Sequence, residues 1–339
     1  MFGAGIWRTL DNVKDANLRK LAQALPSTVL ASRQPNTVRI YSFGFQRWKR
    51  WAAAYKEVKV IPAEPRYISL YLVNLSEKAT SNASINTAIS SIAWAHKLAA
   101  LSDPTQDPLV QMVRDSLSRS LGKGGQNAKQ PLKVEHLMML VNIYGKRSAS
   151  LKDLRVVSMC LLAFAAFLWY DDIAHICRSD LLFKKEHLAI FLVSSKTDVY
   201  KEGHWIVVAR LNSLNCPVRM LDRYLLASGI PEDSSDYVFR ALSASKKSRF
   251  GQILRSQNIP ISYTLTRQIM LQAFAKIGLS SKDFGTHSLR KGGATAANLN
   301  KIPDRLIKKH GRWVSEKSKD LYISEDLQQK LQVSRNLGL

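Results

Sequence analysis

Apolar residues recur every three or four positions through the first third of the chain. Val38, Tyr41, Phe45, Trp48, Ala52 and Tyr55 form one such stripe, which predicts a helix with a single buried face. Similar patterns predict helices over 67–75 (following Pro65), 85–101 and 108–121. Four short helices of this kind make a compact bundle. The pattern stops at the stretch Gly122-Lys123-Gly124-Gly125-Gln126-Asn127-Ala128-Lys129-Gln130-Pro131. A polar, Gly-rich segment closed by proline reads as a linker. It predicts domains at 1–122 and 132–339, joined by residues 123–131.

Helical spacing returns over 134–144 and 151–168, and then the period changes. Residues 188–193 and 204–209 are rich in β-branched and aromatic side chains, and the segment between them is polar. That combination predicts a β-hairpin. Further helices are expected over 218–228, 265–277, 287–298 and 304–310, with a looser loop over 229–262. Leu327, Leu331, Val333 and Leu337 predict a short amphipathic tail helix. The fold class is therefore mainly α with a small β-sheet, an α+β arrangement.

Composition narrows the partner. Lys and Arg number 50 against 26 Asp and Glu, a net charge of +24. A chain this basic is expected to meet a polyanion, since each phosphate neutralised releases condensed counterions. Ribosomal, chromatin and membrane-surface proteins share such charge, so it does not give an activity. Arg39, Arg47, Lys49 and Arg50 form a basic face on the first predicted helix, and Lys123, Lys129 and Lys291 add further cations. These are candidates for DNA contact; a solvated surface is the plain alternative. Cys160, Cys177 and Cys216 lack metal-ligand spacing and read as free thiols of a reducing compartment. The apolar run 160–168 is too short to span a bilayer. The expected setting is intracellular and DNA-associated, in a nucleus if the host is eukaryotic. No metal site or cofactor is predicted.

Candidate chemistry concentrates near the C-terminus. Thr286 stands where a helix N-cap is expected, followed by His287 and Arg290, three apart and so on one face of a first turn. A helix N-terminus favours an anion, and arginine offers a rigid donor fork for phosphate oxygens. Gly292, Gly293 and Ala294 are small enough for another element to pack closely behind. Gly311 ends the next predicted helix, Trp313 follows on the turn, and Tyr322 lies nine residues beyond. A tyrosine hydroxyl can bond to phosphorus if neighbouring donors hold the phosphate.

The order His-x-x-Arg, Trp, nine residues, Tyr resembles the tyrosine recombinases, the phage-integrase-like enzymes that cut and rejoin DNA through a 3′-phosphotyrosine. The resemblance implies that Tyr322 is the nucleophile and that Arg290, His287 and Trp313 hold the phosphate; His310 competes with Trp313 for the third role. It also implies a lysine on the hairpin that protonates the leaving 5′-oxygen, here Lys196, with Lys201 second. A helical core-binding domain and a catalytic domain closing as a C-shaped clamp on duplex DNA are implied too. So is a homotetramer on two duplexes whose C-terminal tails pass between subunits.

One position departs from the family. Where its first arginine is expected, within a pattern like Phe-Leu-Arg-x-x-Glu-Leu, the chain reads Phe167-Leu168-Trp169-Tyr170-Asp171-Asp172-Ile173. Asp172 keeps the acidic position. Trp169 brings one donor and no charge, and Arg178 is a distant substitute. The resemblance implies a mobile element's integrase ahead of a chromosome-dimer resolvase; Trp169 prompts one alternative, a catalytically impaired, recombinase-derived DNA-binding protein, and the shared chemistry another, a type IB topoisomerase-like enzyme acting as a monomer.

Overall fold

The computed structural model describes residues 2–10, 12–122, 129–193, 202–246, 248, 251–325 and 327–337. Residues 123–128 of the predicted linker, with Lys123, and the hairpin turn bearing Lys196 and Lys201 lie outside the described residues. Two compact units emerge, Met1–Gln126 and Asn127–Leu339.

The first unit contains α1 (Trp7–Leu10), α2 (Ala16–Leu30), α3 (Pro35–Ala52), α4 (Pro65–Ser76), α5 (Ala83–Leu98) and α6 (Pro108–Leu121). Its core is built from α3 to α6, with Phe45, Trp48, Ile68, Leu72, Ile85, Ile92 and Val110 at its centre. Those are the four helices the periodicity predicts. Tyr55 falls beyond the end of α3 and is exposed. The first thirty residues were not expected to be helical. α2 is opened by Asp15, whose Oδ1 accepts the N–H groups of Asn17 and Leu18, each at 2.9 Å. It buries no residue, although Leu18, Leu21, Leu25 and Val29 recur at helical spacing.

The second unit contains α7 (Val134–Tyr144), α8 (Leu151–Ala165), α9 (Tyr170–His175), β1 (Leu181–Phe183), β2 (His187–Leu192), β3 (His204–Ala209), α10 (Pro217–Ser228), β4 (Leu242–Ala244), β5 (Gln252–Leu254), α11 (Tyr263–Lys276), α12 (His287–Leu299), α13 (Asp304–His310), α14 (Glu316–Asp320) and α15 (Leu327–Arg335). Helix α8 is the axis of this unit. Its Ser150–Asp153 capping box starts it, and α7, α10, α11 and α12 surround it. Being buried on most sides, it shows no single apolar stripe. Strands β1, β2 and β3 form an antiparallel sheet whose register pairs Leu188 with Val208 and Ile190 with Ile206. All four are buried. The predicted loop over 229–262 also holds a second hairpin, β4 paired with β5. Strands of three residues are too short for alternation to be legible.

Two close approaches bring α12 to the centre. A Cβ on Gly293 would lie 2.2 Å from the Phe164 carbonyl oxygen, and one on Gly292 would lie 2.2 Å from that of Leu132. Both glycines are therefore needed where the helix meets α8 and the entering chain. α8 itself ends three residues earlier than predicted. Phe167 takes a left-handed backbone with φ of 48°, and the Leu168 N–H bonds the Ala163 carbonyl at 3.0 Å. The turn at Phe167 carries the chain to Trp169.

Candidate active site

Helix α12 presents Arg290 inward and His287 at its exposed first turn. The predicted cap is not made by Thr286. That residue has helical backbone angles and its side chain makes no cap bond; the Ser288 hydroxyl instead accepts the Gly285 N–H at 3.0 Å. Arg290 is 3% exposed. One Nη donates to the Phe167 carbonyl and the other to the Gly311 carbonyl at 2.6 Å. Its position is thus set by two helix ends, those of α8 and α13.

Three aromatic rings enclose that guanidinium. Its Cζ lies 5.0 Å from the Trp169 ring centre, 4.6 Å from that of Trp313 and 5.2 Å from that of Tyr322, within cation–π range. Trp313 and Tyr322 lie 5.3 Å apart, centre to centre. Trp169 meets both Tyr322 (5.5 Å) and His287 (4.9 Å) edge to face. Tyr322, Arg290, His287, Trp313 and Trp169 therefore occupy one cluster. Burial moves the Arg290 pKa down to about 10, aided by the like charge of Arg312 and opposed by Asp172 and Tyr322. Burial also raises the Tyr322 phenol, with Arg290 acting against it.

Arg312 was not among the expected site residues. Its side chain is buried, and Nη2 meets the equally buried Asp172 carboxylate at 2.6 Å. Asp172 also accepts the Trp169 N–H at 2.9 Å. Arg312 Nη2 lies 3.5 Å from the Phe167 carbonyl, the oxygen that Arg290 also uses. Burial raises the Asp172 carboxyl, against the pull of Arg312 first and of Arg290. Arg290 Nε, Arg312 Nη1 and Trp313 Nε1 are buried donors with no hydrogen-bond partner. Two guanidiniums and an indole N–H with a single carboxylate leave a positive site rich in unused donors, a setting that a phosphate fits. Nothing in the sequence spacing marks Arg312, because its place depends on the backbone turn at 312.

The remaining candidates divide. His310 donates from Nε2 to the Ala165 carbonyl at 2.8 Å and packs edge to face on Phe167, so it ties α13 to α8. Arg178 is buried beside Phe183 and pairs with Glu232; it does not substitute for the missing arginine. Lys129 donates to the Ser281 and Lys282 carbonyls at 2.8 and 2.7 Å, and Lys291 to the Lys129 carbonyl at 3.3 Å. Both ammoniums bond to the chain's own backbone carbonyls. Arg39, Arg47, Lys49 and Arg50 are exposed on α3. Just before Tyr322, the buried Lys319 ammonium sits 2.5 Å from Asp304, 3.2 Å from Asp320 and 3.3 Å from Glu316, pinning α14 to α13. Among the described residues no group of three or more His, Cys, Asp or Glu could hold a metal. No described helix is long and apolar enough to cross a membrane.

No family model matches the chain. An integrase/recombinase XerD homolog of Selenomonas ruminantium is 26% identical over 320 residues, covering 93% of this chain and 89% of the relative. The recombinase Cre of Escherichia phage P1 is 23% identical over 273 residues, covering 79% and 78%. The fold is shared with the XerH site-specific recombinase, solved bound to palindromic difH substrate in a post-cleavage complex, at a TM-score of 0.61 and 12% identity, covering 96% of this chain and 90% of that one. These relatives, the shared fold and the order of the site's residues all support the resemblance of this chain to the tyrosine recombinases.

Proposed function

We propose that the protein is a site-specific recombinase of the integrase type that breaks and rejoins duplex DNA through Tyr322. The observation that carries this reading is the convergence of Tyr322 on Arg290 and Trp313 around buried, unused donors. The Tyr322 oxygen attacks the scissile phosphorus as its proton leaves. The bond from phosphorus to the 5′-oxygen breaks, and that oxygen takes a proton, for which Lys196 is the sequence's candidate donor. Phosphorus stays joined to the 3′-oxygen and to tyrosine, so a 5′-hydroxyl from another strand can reverse the step. Arg290 and Trp313 offset the charge that grows on the non-bridging oxygens, and His287 adds a hydrogen bond.

Strand exchange between two duplexes needs four subunits, and one surface of the second unit suits their assembly. A groove of about 850 Å³ is lined by Val134, Leu137, Phe164, Trp205, Leu306 and Ile307 among others. Its size and apolar lining match a short amphipathic helix such as α15 from a neighbouring copy.

The test begins with duplexes enriched from a random pool by the full-length protein. A nicked version of the winner traps the covalent intermediate. An adduct lost in Tyr322→Phe supports the enzyme. Trp169 motivates the second reading, a DNA-binding protein without strand cleavage. Specific binding with no adduct supports that one.

A further inference from the structure

The site lacks the family's first arginine, yet it holds two buried guanidiniums. The second is Arg312, and its backbone is unusual. Helix α13 ends in a pair of bonds, Arg312 N–H to the Lys309 carbonyl and Trp313 N–H to the Lys308 carbonyl, each at 3.1 Å. In that motif the left-handed position belongs to glycine in most helices. Here Gly311 comes one residue early, with φ of −80°, and Arg312 takes the left-handed backbone at φ of 57°. A non-glycine residue is strained there, and strain of this kind is kept where the surroundings and the function require it. Gly311 is needed for another reason. A Cβ on it would lie 2.0 Å from the Trp313 indole.

Charge points the same way. Asp172 offsets one guanidinium and two are buried. One nitrogen of Arg312 is used by Asp172, and Nη1 has no partner; the same is true of Arg290 Nε and Trp313 Nε1. Both arginines reach the Phe167 carbonyl, so their heads are adjacent. A buried excess positive charge with open donors is costly unless an anion joins it.

We propose that Arg312 is the second phosphate-binding cation of this site, supplying from the α13 turn the charge that Trp169 does not carry. Asp172 is its positioning residue: it holds Nη2 and leaves Nη1 for a non-bridging oxygen. The Arg290 guanidinium lies 5.0 and 5.2 Å from the ring centres of Trp169 and Tyr322, which places these donors next to the nucleophile. The inference rests on Tyr322 being the nucleophile, and the experiment separates the two.

Arg312→Gly alone strands a buried carboxylate, so the informative variant is Arg312→Gly/Asp172→Asn, which removes both charges and places glycine where the backbone is left-handed. On the enriched, nicked duplex the expected adduct rate falls ~10²–10³-fold, with duplex affinity changed only a few-fold. Adding Trp169→Arg recovers at least about tenfold, because the charge returns from the family's usual position. A double variant as fast as wild type means Arg312 serves only to neutralise Asp172, and overturns the proposal. A second arm needs no turnover. Orthovanadate, a mimic of five-coordinate phosphorus, is expected to raise the melting temperature of wild type and of Tyr322→Phe by about 2–4 °C and to leave the double variant unmoved. No rise in wild type, or an equal rise in the double variant, also overturns it. Vanadate binding that depends on Arg312 without any adduct would instead keep the anion site and discard the nucleophile.

Discussion

Gly311 and His96 show how much a single position can hold. The Trp313 indole lies over Gly311 so closely that any side chain there displaces it. Gly311→Ala is expected to cost ~1–3 kcal/mol by overpacking and to slow adduct formation ~10²-fold through the displaced donor. Normal adduct formation in that variant would remove Trp313 from the site. His96 sits in the core of the first unit. Its Nδ1–H donates to the Ile92 carbonyl at 2.8 Å, while Nε2 accepts the Ala63 N–H at 2.9 Å. Only the neutral ring satisfies both. Burial lowers its pKa, against smaller opposing effects of the Ile92 bond and Asp103. A depressed folded value gives stability that is present above the unfolded value, ~6.5, and is lost as pH falls through the folded one. The unfolding free energy from urea titrations should therefore fall below about pH 6.5, by up to ~1.4 kcal/mol per pH unit for this proton. His96→Gln should flatten that slope; an unchanged slope would assign the effect elsewhere.

Elements were legible in proportion to their periodicity. α3, α6, α7, α13 and the β2–β3 hairpin lie close to where the spacing of apolar residues predicts them, because each buries one side and exposes the other. β4 and β5 were not legible because the strands are three residues long, and α2 went unread although Leu18, Leu21 and Leu25 are spaced helically. The end of α8 was hidden for the opposite reason, since the apolar run continues past the turn at Phe167. The proposed acceptor groove yields its own prediction. Trp205 and Leu306 are apolar and about half exposed in it. Trp205→Asp or Leu306→Glu should leave the folded protomer intact and block assembly on DNA, read by sedimentation of the protein with the enriched duplex. Assemblies of unchanged size would show that the groove is not the contact.

For the whole molecule the dominant quantity is charge. With +24 on 339 residues, duplex binding should weaken linearly in a log–log plot against salt, by ~0.9 per phosphate neutralised. Arg47→Ala and Arg50→Ala, both exposed on α3, should each reduce that slope by about 1 across unrelated sequences. Fluorescence anisotropy at several salt concentrations checks this, and an unaltered slope would place the contact face elsewhere. The same measurement on Lys291→Ala should show little change, since that ammonium already binds the Lys129 carbonyl.

Periodicity, charge balance and the spacing of His287, Arg290, Trp313 and Tyr322 are properties of the chain in one dimension. They were enough for most of the helices and for naming those four residues as candidates. They also exposed Trp169 as a departure. The chain's folding in space settled other matters: that His310 holds a helix end, that Lys129 and Lys291 face carbonyls, and that Arg312 enters beside Arg290. Each depends on where a backbone reverses, at Phe167 or at 312, and a reversal brings together residues more than a hundred positions apart, such as Asp172 and Arg312. Local spacing carries no record of such a meeting, because its energy comes from contacts that exist only once both helix ends have been packed against each other.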